Sequence, residues 1–392
     1  MTLLQRSFRS VEGAAERIST KSPTTPSVGV GLFTKLLPNF SSRSPERVVV
    51  SPLAPASGER AVVRFADKTV VVTGAGGFIG SALVERLVGV GARVRAMLRY
   101  TSRAERGCLG DVSESVLREV DITFGDVRDV DAMRDIVRGA DAIFHLSALV
   151  GIPYSYEHPQ EVIDTNILGT ANVLLVAKEL GTLERVVLTS TSEVYGSALY
   201  TPIDEQHPLQ AQSPYSATKI ASDALGLSFN RSFGMPITIV RPFNAYGPRQ
   251  SARAVIPTII SQALTGKTLR LGSVDTIRDF TYVEDTARGF VDVASSDTAL
   301  GEVINVGSGV ETTIRDVIDR IEKIVGHELE IIVEDRRVRP EKSEVSRLHA
   351  ESSKALALAG WRAEISLDEG LRRTTSWIEA HLDSYRTQEY AV

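Results

Sequence analysis

Two short stretches of the sequence carry side chains that could move protons on a bound substrate. The first is Thr191-Ser192-Glu193, which lies one residue after an apolar run at 185–189 that predicts a buried strand. The second is Tyr215 with Lys219, spaced four residues apart in a predicted helix and therefore on one face of it. A lysine ammonium beside a phenol favours the phenolate and lowers the pKa of the tyrosine. The pair predicts that Tyr215 is a base near neutral pH, although this spacing alone is also common between two surface residues.

A glycine-rich turn earlier in the chain predicts a binding site for a dinucleotide. The β-branched run at 69–72 indicates a buried strand, and glycines follow it at G-x-x-G-x-x-G spacing before an apolar helical repeat. We expect Gly74 to allow the tight turn, Gly77 to let the backbone approach the pyrophosphate, and Gly80 to let helix and strand pack closely. The cofactor contacts expected at this turn are Gly74, Gly77, Phe78, Ile79 and Gly80.

The residues after the second and third predicted strands bear on which dinucleotide is bound. Arg99 ends the second strand, about 20 residues after the glycines, where an acidic residue usually holds the ribose hydroxyls of NAD. An arginine followed by Thr101 and Ser102 suits the 2′-phosphate of NADP, so the sequence favours NADP over NAD. The alternative is a solvated arginine with NAD as the cofactor. Asp126 follows the third strand, where it could accept a hydrogen bond from the adenine or simply cap its loop.

The overall composition excludes several classes of protein. The chain has 392 residues and a formal net charge of −5 at pH 7, which predicts no nucleic-acid or membrane partner. No apolar run reaches the length of a bilayer span. Cys108 is the only cysteine, so an intrachain disulfide is impossible and a reducing compartment, the cytoplasm, is expected. One cysteine and six scattered histidines predict no metal site.

The chain divides by composition and periodicity into three parts. Residues 1–65 are rich in Ser, Thr and Pro, which is typical of a disordered tail, and their Arg-rich, acid-poor character also suits an organelle targeting segment. From residue 66, strands and helices alternate, with a helix predicted around 164–180, a sixth strand at 236–240 and a helix near 314–325. This alternation predicts an α/β fold with a doubly wound parallel sheet. We expect a Rossmann NAD(P)-binding domain with the catalytic residues at 66–245. A smaller C-terminal α/β portion at 246–392 is expected to bind the substrate.

Several motifs that span residues 67–392 recur together in one group of enzymes. They are TGAGGFIG (73–80), HLSA (145–148), NILGT (166–170), TSEVYG (191–196), YSATK (215–219), RPFNAYGPRQ (241–250) and RDFTYVED (278–285). On these motifs the chain resembles the extended short-chain dehydrogenase/reductase superfamily, in its nucleotide-sugar epimerase and dehydratase branch. The run at 152–156, with 339–345, is most similar to the bacterial 4,6-dehydratase of legionaminic-acid synthesis, which acts on nucleotide-linked N-acetylglucosamine.

The resemblance implies a set of site residues. The implied catalytic residues are Thr191, Ser192, Glu193, Tyr215 and Lys219. Tyr215 and Lys219 would also contact the cofactor, together with Arg99, Asp126, Val127, Leu146 and Ala148. The nucleotide sugar would contact Asn244, Arg278 and Arg339.

The resemblance also implies a reaction. Tyr215 would take the proton of the sugar's 4-hydroxyl, with Thr191 sharing that hydrogen bond and Lys219 holding the cofactor ribose. Glu193 would remove the proton on carbon 5, and loss of water from carbon 6 would lead to a 4-keto-6-deoxy sugar. Ser192 stands where many dehydratases have an aspartic acid, although GDP-mannose dehydratase has the same Thr-Ser-Glu. We therefore expect Glu193 to protonate the leaving hydroxyl through Ser192 or water.

Other functions remain open at the level of sequence. A 4-epimerase is the second candidate, and Glu193 argues against it because simple 4-epimerases usually lack a carboxylate there. A catalytically silent NADP-binding scaffold is the third, and it would have no use for the Tyr215–Lys219 pair. The sequence does not choose between UDP and GDP, identify the sugar, or separate 4,6- from 5,6-elimination. The resemblance further implies a homodimer formed through two long helices.

Overall fold

A computed structural model describes residues 64–334, 337 and 345–385 of the chain. The predicted tail, apart from its last two residues, and Arg339 lie outside these described residues. Phe65 at the end of that predicted tail is buried against Phe144, with ring centroids 5.6 Å apart. Phe65 is therefore part of the folded core.

Strands and helices alternate from residue 69 onward. The strands are β1 (Thr69–Thr73), β2 (Arg93–Arg99), β3 (Val120–Gly125), β4 (Ala142–His145), β5 (Arg185–Thr189), β6 (Ile237–Pro242), β7 (Asn244–Tyr246), β8 (Thr268–Leu271), β9 (Ile277–Tyr282), β10 (Val303–Val306), β11 (Glu311–Thr313) and β12 (Glu330–Val333). The helices are α1 (Phe78–Gly89), α2 (Glu114–Leu117), α3 (Val130–Val137), α4 (Ile152–Glu157), α5 (Pro159–Ile163), α6 (Gly169–Leu180), α7 (Pro214–Phe233), α8 (Val255–Thr265), α9 (Val283–Ser295), α10 (Ile314–Val325), α11 (Ser353–Ala359) and α12 (Leu367–Ala380).

Within the described chain, seven strands form one parallel sheet in the order β3–β2–β1–β4–β5–β6–β10. The order reverses between β1 and β4, and ligands of such sheets bind in the crevice at that reversal, beyond the carboxyl ends of the strands. The predicted α/β fold with a doubly wound parallel sheet is confirmed.

Helices cover both faces of this sheet, and β1 shows why. Val70 and Val72 pack into one cluster with residues of α1 and α9, whereas Val71 packs into another with residues of α3 and α6. Successive side chains of a strand point to opposite faces, so a strand covered on both faces reads as a continuous apolar run. This double burial fixes the position of the glycine turn that follows β1.

The chain after β6 builds two smaller sheets and then returns to the main one. Strands β11, β9 and β7 form one small sheet, and β12 pairs with β8 in the other. A third apolar cluster joins these strands to α8, α10 and α12. Strand β10, however, pairs with β6 at the edge of the main sheet. The predicted division at residue 245 stays a prediction, and residues on its C-terminal side contribute to both parts.

Element boundaries differ from the predicted ones in two informative places. The helix predicted over 164–180 begins with a π-helical turn at Asp164–Leu168, before α6. The sixth strand, predicted at 236–240, extends to Pro242. Among the described residues, no helix combines the length and apolarity needed to cross a bilayer.

Candidate active site

The glycine turn after β1 has the shape that a dinucleotide pyrophosphate requires. Gly74 has a φ of +71°, and a Cβ on it would lie 2.7 Å from the backbone nitrogen of Ser147. A Cβ on Gly80 would lie 2.2 Å from the carbonyl oxygen of Gly74, so the start of α1 packs directly on the turn. Gly77 is the N-cap of α1 and provides no side-chain cap. The amide groups of Phe78 and Ile79 in the first helical turn therefore remain available to an anion.

A groove of about 340 Å³ runs from this turn along the ends of four strands. Its lining includes Gly74, Gly76 and Gly77 after β1, Met97, Leu98 and Arg99 in β2, Asp126, Val127 and Arg128 after β3, and Leu146, Ser147 and Ala148 after β4. The groove lies at the reversal of strand order, and the glycine turn forms part of its wall. An elongated ligand with a pyrophosphate at its centre fits this combination.

Positive and negative charges alternate at one end of the groove. Arg99 lies 3.6 Å from Glu161 of α5, and Arg128 holds Asp126 through two nitrogens. Hydrogen bonds from Arg128 lower the pKa of the Asp126 carboxyl, with a further contribution from the charge of Arg99. Both arginines are already neutralised by carboxylates, and Asp126 is engaged rather than free to face an adenine. Sequence reasoning missed Arg128, although it stands two residues after the predicted Asp126.

The predicted proton-transfer residues Thr191 and Glu193 lie just after the end of β5. Thr191 caps a single 3₁₀ turn over Ser192–Tyr195, because its hydroxyl accepts a hydrogen bond from the backbone N–H of Glu193 at 3.3 Å. This turn directs the side chain of Glu193 into a second cavity. Ser192 is 3% exposed and lies outside the lining of that cavity.

Tyr215 and Lys219 lie side by side on α7, as the spacing predicts, and both are buried. Ser213 caps this helix, and Pro214 occupies its first turn. Burial raises the pKa of the Tyr215 phenol; a hydrogen bond with Thr191 opposes the shift, and the negative charge of Glu193 adds to it. Burial also lowers the pKa of Lys219 to about 8, against the attraction of Asp223.

The predicted lowering of the pKa of Tyr215 is therefore wrong for the protein alone. The prediction considered only the ammonium of Lys219, whereas the helix buries both groups away from water. Burial disfavours the charged form of each, so the phenol holds its proton more tightly and the ammonium holds its own less tightly. Additional positive charge near the phenol would be needed to generate the phenolate near neutral pH.

A network of buried hydrogen bonds connects β1, β4 and α6 to α7, the helix that carries Tyr215. His145 bonds Thr73 through Nδ1 at 2.8 Å and Thr170 through Nε2 at 3.0 Å. Thr170 donates to the carbonyl of Asn166, and the amide of Asn166 donates to Thr218 of α7 at 2.9 Å. Asn166 lies in the π-helical turn, a feature frequent at functional sites. This hydrogen-bond network fixes α7 relative to the strand ends that form the groove.

The second cavity, also about 340 Å³, adjoins Glu193. Two predicted substrate residues, Asn244 of β7 and Arg278 of β9, line it. The side-chain oxygens of Asn244 and of Gln250 in its wall are buried without a hydrogen-bond partner. Buried polar atoms normally find partners, so these two oxygens fit a ligand that supplies donors there. Sequence reasoning missed Gln250 and Arg253, which gave no spacing signal in a proline-rich stretch.

The chain is similar to nucleotide-sugar dehydratases and epimerases along most of its length. The sequence model of a family described as GDP-mannose 4,6 dehydratase matches residues 71–374. A dTDP-glucose 4,6-dehydratase of Streptomyces antibioticus is 32% identical over 312 residues, which cover 78% of this chain and 91% of that protein. A UDP-glucuronate 4-epimerase of Thermodesulfobacterium geofontis is 31% identical over 328 residues, or 80% of this chain and 97% of that protein.

Solved structures show the same likeness. The crystal structure of a dTDP-glucose 4,6-dehydratase from Streptomyces venezuelae, with NAD bound, has a TM-score of 0.74 and 29% sequence identity. The match covers 82% of this chain and all of that one, at 100%. The glycine turn, the Tyr215–Lys219 helix and all of the parallel sheet except Thr69 and Val70 lie within the residues that the family model matches.

Proposed function

Because the chain belongs to the GDP-mannose 4,6 dehydratase family of extended short-chain dehydrogenase/reductases, we propose that it is an NAD(P)-dependent nucleotide-sugar 4,6-dehydratase. The observation that carries this proposal is the position of Glu193. Its side chain lines the cavity that Asn244 and Arg278 also line, and its charge acts on the phenol of Tyr215. A 4-epimerase needs one proton-transfer site at carbon 4, whereas a dehydratase needs a second base for carbon 5.

Tyr215 and Thr191 act at the 4-hydroxyl of the sugar. They share a hydrogen bond in the protein, so an incoming hydroxyl between them would give its proton to the phenolate form of Tyr215 while Thr191 holds its oxygen. Because burial alone keeps this phenol protonated, the phenolate would depend on the positive charge of Lys219 and of the oxidised cofactor. When bound, the nicotinamide of the cofactor supplies the oxidation of carbon 4 and the later reduction of carbon 6. Lys219 contributes positive charge close to the phenol and holds the ribose.

Glu193 acts next, at carbon 5. A ketone at carbon 4 acidifies the proton on carbon 5, and the Glu193 carboxylate removes it as a general base. The hydroxyl on carbon 6 then leaves as water, using the proton that Glu193 returns. When carbon 6 is later reduced, carbon 5 would take up a proton from solvent, which accounts for the deuterium expected there in heavy water. Ser192 is buried next to Glu193, so we propose that this proton passes through water in the cavity or through the Ser192 hydroxyl.

The same cavity provides the groups for the nucleotide. Arg278 is 8% exposed and lines it together with Arg253, and guanidinium groups bind diphosphates through paired hydrogen bonds. We propose UDP- or GDP-N-acetylglucosamine as the substrate, from the likeness of the stretch at 152–156 to the dehydratase of legionaminic-acid synthesis. Pro153 of that stretch lies in the cavity wall. Arg339 remains a proposed contact on its motif alone.

We propose that NADP is favoured over NAD. Arg99 and Arg128 both line the end of the groove, where a ribose phosphate could bond either guanidinium. Glu161 and Asp126 now neutralise these arginines, so the phosphate would replace one carboxylate contact rather than find an unpaired cation.

A homodimer is also proposed. Leu168, the last residue of the π-helical turn before α6, is 54% exposed, and Leu175 of α6 is 49% exposed. The two leucines are seven residues apart. Residues seven apart share a helix face, so the two leucines form an apolar strip suited to a second copy.

The proposed reaction has a direct test in heavy water. Purified protein is incubated with UDP- or GDP-N-acetylglucosamine and the cofactor, and the sugar is followed by proton NMR. A new methyl signal at carbon 6 with deuterium at carbon 5 is the expected product. A 4-epimer that keeps its carbon 5 proton would replace the proposal with the epimerase.

A pair of variants tests the role of Glu193. Glu193→Gln keeps the size of the side chain but removes the base, so turnover should fall by about 10²- to 10⁴-fold. Glu284→Gln is the matched control, since Glu284 is exposed and pairs with Arg373 away from the cavity. Full turnover by Glu193→Gln would refute the mechanism.

A further inference from the structure

We propose that Asp223 is a positioning residue that keeps Lys219, beside Tyr215 on the same helix, in its protonated form. This inference rests on the proposed function, in which Lys219 acts as a cation. Tyr215, Lys219 and Asp223 occupy positions i, i+4 and i+8 of α7, and all three are buried. Residues at this spacing stack along one face of a helix, so Asp223 follows Lys219 as Lys219 follows Tyr215.

The carboxylate of Asp223 is held in place by two strands. Its Oδ2 accepts hydrogen bonds from Ser190 Oγ at 2.8 Å and from Arg241 Nε and Nη2 at 3.1 and 2.9 Å. Ser190 directly follows β5 and precedes the Thr191 turn, while Arg241 belongs to β6. The same contacts therefore tie α7 to the strand end that carries Thr191 and Glu193.

The arginine is fixed from its other side. Arg241 Nη1 donates to the Tyr195 hydroxyl at 2.9 Å, and this hydroxyl donates to Asn305 of β10 at 2.7 Å. Asp223 and Arg241 have side chains only 4% exposed. Removing one partner of a buried ion pair is costly, because it leaves the other charge unpaired. The intact pair, however, adds little net stability compared with two apolar residues of the same size, so stability alone does not explain why the Asp223–Arg241 pair is present.

The charges around Lys219 identify that role. On its own helix Lys219 faces Tyr215 and Asp223, and the charge of Asp223 raises the pKa of Lys219 against the effect of burial. From β4 it faces His145, whose pKa burial lowers to about 3, so this neighbour is neutral at physiological pH. The charge of Glu193, after β5, acts on Tyr215. Burial raises the pKa of the Asp223 carboxyl, and the charge of Arg241 of β6 and the hydrogen bonds from Ser190 and Arg241 oppose this by favouring the carboxylate. Asp223 is thus the anion that favours the ammonium form of Lys219.

Direct titration of Lys219 tests this role without relying on turnover. The chain is labelled with [ε-¹³C]lysine, and the Lys219 signal is assigned by its loss in Lys219→Met. In Asp223→Asn the pKa of Lys219 should fall by roughly one pH unit, the effect expected on removing a nearby buried opposite charge. The alkaline limb of kcat against pH should move to lower pH by the same amount.

Two further variants separate electrostatics from stability. Asp285→Asn is the matched control, because Asp285 is a buried aspartate on α9 paired with Arg288 at 2.7 Å and outside both cavities. It should lower the denaturant midpoint and leave the Lys219 titration unchanged. If Asp223→Asn does not fold, the double variant Asp223→Leu/Arg241→Met takes its place, since apolar pairs often replace buried ion pairs without loss of stability.

The outcomes distinguish this inference from the proposed function. An unchanged Lys219 titration in a folded Asp223 variant would overturn the inference, whatever the activity. A lower pKa in a protein whose wild type converts no nucleotide sugar would support the electrostatic role of Asp223 and refute the proposed function. A lower pKa with a parallel shift of the pH profile supports both.

Discussion

Replacing Gly80 by alanine tests how closely α1 must approach the glycine turn. The new Cβ would lie 2.2 Å from the carbonyl oxygen of Gly74 and 3.0 Å from the Cα of Ala75. Carbon and oxygen atoms in close contact lie about 3.3 Å apart, so helix and turn must separate by roughly 1 Å. Both contacts are with backbone, which cannot rotate away. The separation would displace the helix N-terminus that we expect to bind the pyrophosphate.

The magnitude follows from two opposing effects. Overpacking of this kind costs about 1–3 kcal/mol, and alanine recovers about 0.5–1 kcal/mol relative to glycine inside a helix. We expect Gly80→Ala to lower the free energy of unfolding by about 1–2 kcal/mol. Gly89 ends the same helix, and nothing lies within 4 Å of its added Cβ. Gly89→Ala should therefore be neutral or stabilising.

Urea unfolding of the two variants, followed by calorimetric titration with NADP, measures both consequences. Gly80→Ala should lose stability and bind NADP at least tenfold more weakly, whereas Gly89→Ala should bind it normally. If Gly80→Ala kept both its urea midpoint and its affinity, the close approach of α1 to the turn would not be what positions the cofactor.

Three further perturbations address the cofactor, the buried histidine and the proposed dimer. Arg99→Ser should weaken NADP binding about tenfold and leave NAD binding nearly unchanged; equal losses for both would show that Arg99 does not contact the phosphate. Burial lowers the pKa of His145 to about 3 in the folded protein, below its ordinary value of 6.5. As the pH falls below 6.5, the imidazole therefore binds a proton in the unfolded chain but not in the folded one. Stability should therefore drop between pH 6.5 and 5 with a slope contribution approaching about 1.4 kcal/mol per pH unit, and urea midpoints of His145→Gln should lack this contribution. Leu175→Glu should give monomers in sedimentation velocity, and an unchanged sedimentation coefficient would move the interface elsewhere.

Much of the fold could be predicted because strong local patterns coincide with the main sheet. The strands at 69–73 and 185–189 are continuous apolar runs, since helices cover both of their faces. Helix α10 was predicted at its observed limits, 314–325, because its apolar positions repeat at helical spacing and Gly326 ends it. In each case burial and local sequence give the same answer.

Other features depend on contacts that no local pattern records. Strand β10 has only four residues, and its membership of the main sheet depends on pairing with β6, more than sixty positions earlier. Arg253 lines the second cavity together with Arg278 and Phe280 of β9, which lie far along the chain and which its neighbours in sequence do not indicate. The pKa of Tyr215 was mispredicted because spacing gives the lysine beside it but not the exclusion of water around both.

Strand β10 also changes how the second cavity should be understood. Strands β6 and β10 are neighbouring parallel strands, so the chain segment that joins them is a single crossover connection. Such a connection usually consists of one helix and short loops. Here α9 serves as that helix, and β7, α8, β8 and β9 are an elaboration inserted before it. The elaboration begins at the end of β6 and leads into α9, which packs on the same sheet. Its length and composition could therefore diversify during evolution, and with them the lining of the second cavity, while β5 and α7, which position Glu193 and Tyr215, stayed in place.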